Sequence, residues 1–134
     1  MKFVTEKKFM FNELGKMLCN GEKFYFPVYG MIRRKKSVSV ADFGFFALTD
    51  NHLLVAVLNP FDGNKIDNYY KIPLDIKYVK IRKTPILKFS VLKIYFNSGE
   101  SCKIQMSKKL LIGDFTDQEK NVENFLKFFL KYAN

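Results

Sequence analysis

Few side chains in this 134-residue sequence have the type and spacing that chemistry demands. His52 is the only histidine, and Asp50 stands two positions before it. A histidine beside a carboxylate can serve as a general base, but no nucleophile is placed for it to activate. His52 therefore reads as a turn residue. Cys19 and Cys102 are far apart in sequence, fit no metal-ligand spacing and are too few for a disulfide framework. Both are expected to be free thiols in a reducing cytoplasm. Glycine-rich phosphate loops are absent. The carboxylates are scattered, with no spacing that suggests a paired acid and base. The expectation is a protein that is not an enzyme and needs neither metal nor cofactor.

Charge is the remaining resource. The formal net charge is +10, which attracts polyanions of any kind, although a lysine-rich surface also serves solubility. The densest spot is Arg33-Arg34-Lys35-Lys36, read as a loop. Lys80 and Arg82 point outward from a later strand. These six residues are the candidate anion- or membrane-binding set, and sequence leaves open whether they converge. Each Lys or Arg near an anionic membrane contributes about 1 kcal/mol. Four give about 4 kcal/mol, an affinity near millimolar, so membrane contact through the loop alone is weak. Nucleic acid is the rival partner. Tyr25, Tyr29, Tyr69, Tyr78 and Tyr95 would then be stacking platforms; otherwise they are cross-strand packing partners. A third use needs no charge: a sheet edge, or the groove beside the last helix, can accept a peptide or a second copy of the chain.

The N-terminus has no secretory h-region or cleavage site. No apolar run approaches the roughly 20 residues of a membrane span. The expected location is the cytoplasm, with peripheral contact at the inner membrane face left open.

The elements that must position these residues follow from periodicity. Met10, Leu14, Met17 and Leu18 form one stripe of an N-terminal helix, capped by Thr5 and ended by Asn20-Gly21. The interior Gly15 weakens that helix by about 1 kcal/mol relative to Ala. Glu22 to Ile32 alternates as a strand, with Phe24, Phe26, Val28 and Ile32 on one face and Tyr25, Tyr29 and Met31 on the other. Pro27 implies an edge or a bulge there. Phe43 to Leu58 is the most apolar stretch, two strands folded at Thr49-Asp50-Asn51-His52, with Asp and Asn supplying the turn chemistry. A hairpin this apolar has to be covered on both faces. Tyr70, Ile72 and Leu74 alternate in a fourth strand. In a fifth, Val79 and Ile81 face inward and Tyr78, Lys80 and Arg82 outward. Leu87 to Phe96 is a sixth, and in a seventh Cys102, Ile104 and Met106 face the core. Thr116 to Glu119 has capping-box form. Val122, Phe125, Leu126, Phe129 and Leu130 then form the apolar face of the strongest helix, about 25 Å long.

Three segments carry a resemblance. Leu18-Cys19-Asn20-Gly21-Glu22-Lys23 resembles the entry to the first strand of bacterial pleckstrin-homology-like (PH-like) domains, a family related to GRAM domains. Phe46 to Leu54 resembles its Leu-Thr-Asp hairpin, and Tyr70 to Ile76 its Ile-Pro strand. Gln118 to Leu126 is similar to its closing helix, with Asn121 and Phe125 at familiar places. The chain departs from the pattern at Asn51-His52, where the family has a basic residue. The tryptophan typical of eukaryotic PH domains is missing, and Phe125 or Phe129 can fill its volume. The resemblance implies a mainly β (α+β) fold: an antiparallel barrel of about seven strands, capped by a C-terminal amphipathic helix, with an extra N-terminal helix. It implies a single domain over 1–134, with a helical extension at 1–21, strands over 22–106 and the closing helix at 116–133. It also implies that Arg33–Lys36 joins the first two strands, where lipid-binding PH domains grip an anionic headgroup. The function expected is a cytoplasmic binding or scaffolding module for a protein partner or homo-oligomer, with weak binding to anionic membranes. The alternative is a nucleic-acid-binding protein that uses the basic loop.

Overall fold

The computed structural model of the protein describes residues 7–34, 42–84, 89–108 and 116–133. Helix α1 (Lys7–Gly15) leads into strands β1 (Tyr25–Arg34), β2 (Asp42–Leu48), β3 (His52–Leu58), β4 (Ile66–Pro73), β5 (Ile76–Thr84), β6 (Phe89–Phe96) and β7 (Ser101–Ser107). Helix α2 (Gln118–Phe129) follows and runs into a 3₁₀ turn, Leu130–Tyr132. All seven strands form one antiparallel sheet in the order β4-β3-β2-β1-β7-β6-β5, so the first and last strands are neighbours at its middle. The edges β4 and β5 are consecutive in sequence, and no ladder joins them among the described residues. The sheet is an open, rolled barrel, with α2 packed into its apolar face.

The hairpin β2–β3 is buried on both faces. Phe46, Leu48, Leu53, Val55 and Val57 join Val122, Phe125, Leu126 and Phe129 of α2 in the main core. The alternate residues Phe45, Ala47, Leu54, Ala56 and Leu58 form a second core under Met10 and Leu14 of α1. The period-2 alternation of a strand makes this division automatic once both sides are covered. Cys102, Ile104 and Met106 lie in the main core, as their alternation predicts.

Several local expectations are corrected. Helix α1 ends at Gly15 rather than at Asn20-Gly21. Gly15 offers no side chain to hold another helical turn, and the chain tightens there: the amides of Met17 and Leu18 donate to Leu14 and Gly15. Gly21 takes the left-handed conformation beyond it, at φ +82°. Strand β1 is bulged between Tyr25 and Val28, with Phe26 at φ +56°. The bulge accommodates Pro27 in a central strand, so the alternative of an edge is excluded. It also breaks parity, and Phe24 packs with the α1 core while Phe26 packs with the other.

The hairpin turn is organised by Thr49 rather than by Asp50 or Asn51. The Thr49 Oγ1 accepts from the amides of His52 (2.9 Å) and Asn51 (3.3 Å), and Asp50 and Asn51 stay exposed. The capping box is not made. Asp117 is the N-cap, without a capping hydrogen bond, and it pairs with Lys7 of α1 at 2.8 Å. Leu130 lies in the 3₁₀ turn, 58% exposed, rather than in the core stripe. Gln118, at the other end of the helix, is buried. Its Nε2 donates to the carbonyls of Tyr29 and Ser107, both at 2.9 Å, and its Oε1 accepts from the Tyr29 amide at 3.1 Å. The expected Thr5 cap, the start of the sixth strand at Leu87 and most of the connector after Ser107 lie outside the described residues.

Candidate anion-binding face

The β1–β2 hairpin end and the β5–β6–β7 strands bring together cations that are scattered in sequence. The core side of these strands holds Ile32, Val79, Leu92, Ile94, Cys102 and Ile104. Alternation therefore turns Arg33, Lys80, Lys93 and Lys103 to the opposite, exposed face. Register sets them abreast: Lys80 pairs with Lys93, Lys93 with Lys103, and Lys103 with Arg33. Directly opposed side chains on one sheet face sit about 5 Å apart at Cβ, and like charges there are destabilising. Arg82 lies one step along the same face, opposite Val91. Helix α1 covers the outer side of β2–β3, and among the described residues no helix lies on the outer side of this half.

Acidic residues neutralise lysines elsewhere. Lys7 pairs with Asp117, Lys16 with Glu13, Lys71 with Glu22 and Lys108 with Glu123. The Lys71 ammonium, 2.5 Å from Glu22, and the Cys19 amide hold the Glu22 carboxyl down at about 2. Burial opposes ionisation of Glu13, but hydrogen bonds from Lys16 and Tyr69 outweigh it and its pKa falls. Among the described residues, no ion pair engages Arg33, Lys80, Arg82, Lys93 or Lys103.

Beside the row, Tyr78 and Tyr95 stack at 4.4 Å between ring centres and 18° between planes. The Nζ atoms of Lys80 and Lys93 lie 5.9 and 5.0 Å from the centre of the Tyr95 ring, within cation–π range. A broad groove of about 840 Å³ runs from this face round the edge of β5. Its cations are Lys80, Arg82, Lys83, Lys93 and Lys103, and its apolar lining includes Val79, Ile81 and Leu130. Among the described residues, no carboxylate lines it.

Of the residues expected from sequence, Lys80 and Arg82 belong to this groove and Arg33 to the row. Arg33 and Arg34 are not in a loop: they are the last residues of β1, paired with Lys103 and Cys102. Lys35 and Lys36 lie outside the described residues. Lys65, in the β3–β4 loop, is not part of the groove. Lys93, Lys103 and Lys83 were missed. The outward alternation of Lys103 was visible in sequence, but the register that sets Lys93 between Lys80 and Lys103 was not, and Lys83, which shares the parity of Val79 and Ile81, reaches the groove from the edge strand. His52 opens β3 opposite Pro73, and its buried Nδ1 has no hydrogen-bond partner, the Asp50 carboxylate included. Among the described residues no group of three or more His, Cys, Asp or Glu could hold a metal ion. Cys19 is exposed and Cys102 buried, and the two form no disulfide. No described helix is long and apolar enough to cross a membrane.

No family model matches the sequence, and no curated protein matches it significantly. Solved structures do. The chain is similar to the pleckstrin homology domain from Shewanella amazonensis SB2B, with a TM-score of 0.51 at 17% identity over 91% of this chain and 93% of that one. It is also similar to the hSac2 domain from the human phosphoinositide phosphatase Sac2, with a TM-score of 0.57 at 13% identity over 93% of this chain and 78% of that one. At such identities the likeness is one of fold, and the fold is PH-like.

Proposed function

We propose that the chain is a single, non-catalytic binding and scaffolding module of the bacterial PH-like, GRAM-related kind, and that it holds an acidic protein partner on the bare face of β5, β6, β7 and the end of β1. The carrying observation is the row Lys80, Lys93, Lys103 and Arg33. Three like-charge neighbours across four strands cost folding stability, and a bound anionic surface relieves that cost. Two copies, each at +10, repel one another at this face, so self-assembly would have to use another surface. Anionic membranes meet the same row, but about 1 kcal/mol per cation supports only weak, peripheral attachment. The reading goes with a cytoplasmic protein that makes transient contact at the inner membrane face.

A second reading has its own observation. The stacked Tyr78–Tyr95 pair against the cation row is the combination that single-stranded nucleic acid uses.

The test measures binding to polyglutamate, phosphatidylserine vesicles and oligothymidylate at low and high salt. Polyglutamate should bind most tightly, weaken with salt, and be lost in the Lys93→Glu/Lys103→Glu variant. Tighter binding of oligothymidylate would replace the protein reading with the second one. A wild-type protein that ignores all three at low salt would overturn both.

A further inference from the structure

The cation row borders a second, smaller feature of the same face. Two residues along β1 and β7 from Arg33 and Lys103 stand Met31 and Gln105, which pair with each other. Alternation puts them on the outer face with the cations. Phe43 of β2 pairs with Met31 on its other side. The Phe43 ring is 51% exposed. It lies nearly parallel to the ring of half-buried Tyr29, with 16° between planes and 6.1 Å between centres. A cleft of about 80 Å³ opens here, lined by Tyr29, Gly30, Met31, Phe43, Gln105 and Ser107. One wall is aromatic and the other carries an amide and a hydroxyl. Among the described residues, no carboxylate lines it. At the rise of a strand, Arg33 and Lys103 are about 7 Å away.

We infer that cleft and row together form a site for a nucleoside polyphosphate. The base stacks on the exposed face of Phe43 and turns its edge to Gln105 and Ser107. An amide side chain both donates and accepts, as a base edge requires. The phosphates start between Arg33 and Lys103, where a guanidinium can bind two oxygens at once, and run toward Lys93 and Lys80. Four adjacent strands spread these cations over about 14 Å, room for a chain of phosphates rather than one. A carboxylate-rich surface would use the row and ignore the cleft; a nucleotide uses both. The inference goes beyond the protein-binding reading and does not rest on it. The two ligands share the row, so a bound nucleotide excludes an acidic partner and makes the partner's access depend on nucleotide level.

Calorimetry on the full chain, without divalent metal, compares adenosine and guanosine triphosphates with inorganic tripolyphosphate. The nucleotides should bind about tenfold or more tighter, the gain expected of one base stacked on an aromatic ring. In the wild type they should shift the amide resonances of Phe43 and Gln105, which tripolyphosphate should leave in place. Phe43→Ala, at an exposed position, should bring the nucleotides down to the affinity of tripolyphosphate and leave the latter unchanged. Lys103→Glu should weaken both. Equal wild-type affinity for nucleotide and tripolyphosphate would overturn the inference, as would a Phe43→Ala variant that keeps the preference. Oligothymidylate binding more tightly than either mononucleotide would overturn it in favour of a nucleic-acid strand. Polyglutamate binding without nucleotide binding would also overturn it and keep the protein reading. Nucleotide binding with the expected preference but no polyglutamate binding would uphold it and remove that reading.

Discussion

The two halves of the sheet are built from strands of similar length and are treated oppositely on their outer side. The outer residues of β2 and β3 are Phe45, Ala47, Leu54, Ala56 and Leu58, sealed under α1. Those of β5, β6 and β7 include Tyr78, Lys80, Arg82, Lys93, Tyr95 and Lys103, and no described helix covers them. The inner side is one continuous core in both halves. The comparison separates two jobs. The covered half supplies stability twice over, once per face. The bare half supplies it on one face and gives some of it back through opposed lysines, which is the pattern of a surface kept for a partner. The acids follow the same division: Glu13, Glu22 and Asp117 secure α1, the segment after it and α2, and none stands among the cations of the bare face.

This contrast can be broken in four ways. The shared core sets the scale. Phe125→Ala removes a fully buried ring and should cost about 3–5 kcal/mol in urea unfolding; a loss below about 1 kcal/mol would mean that α2 does not hold the core. Leu54→Ala acts on the outer side of the covered half and should cost about 2–5 kcal/mol, because Leu54 is as buried there as any inner residue. If its cost matched that of an exposed site, α1 would not be a second lid. On the bare half, Lys93→Glu should have the opposite sign. It sets an acid between Lys80 and Lys103, and each opposite-charge pair contributes about 0.2–1 kcal/mol. The melting temperature should rise while affinity for polyglutamate falls. A destabilised variant would show that the lysines are packed rather than held apart.

The smallest effect is on pH. The Glu22 carboxyl sits at about 2 when folded, against an ordinary 4.5. Its contribution to stability is complete above about pH 4.5 and is lost as pH falls toward 2. Thermal melts of Glu22→Gln should therefore show a shallower acid decline over that window and no change in the polyglutamate affinity of the bare face. An unchanged decline would mean that Lys71 does not hold the carboxyl in solution.

What could be read in advance follows the range of the interaction that decides it. Apolar runs on both sides of a polar turn, Phe43 to Leu48 and Leu53 to Leu58, announced a strand pair with two covered faces. Alternation announced that Cys102 is inside and that Lys80, Arg82 and Lys103 are outside. These are local patterns of period 2. The row of cations was not legible, because it depends on β1 pairing with β7 some seventy residues later, and no local pattern encodes that register. Arg33-Arg34 looked like a loop because a run of charge has no apolar phase, yet the ladder to Lys103 and Cys102 carries the strand through both residues. Gln118 was hidden for a similar reason: beside Glu119 and Lys120 it reads as helix surface, and only the packed structure presents it with three backbone groups.

That glutamine has a mechanical consequence. The ladder between β1 and β7, Met31–Arg34 against Cys102–Gln105, is the shortest in the sheet and the joint between its two halves. Continued in register, it would set Gly30 opposite Met106 and then Tyr29 opposite Ser107. The Gln118 amide occupies that place and clasps both strands. A joint with few rungs and a side-chain clasp concentrates compliance. Bending between the halves, whether thermal or driven by a partner pulling on β5, should fall at this seam, with α2 as the strut that sets its stiffness.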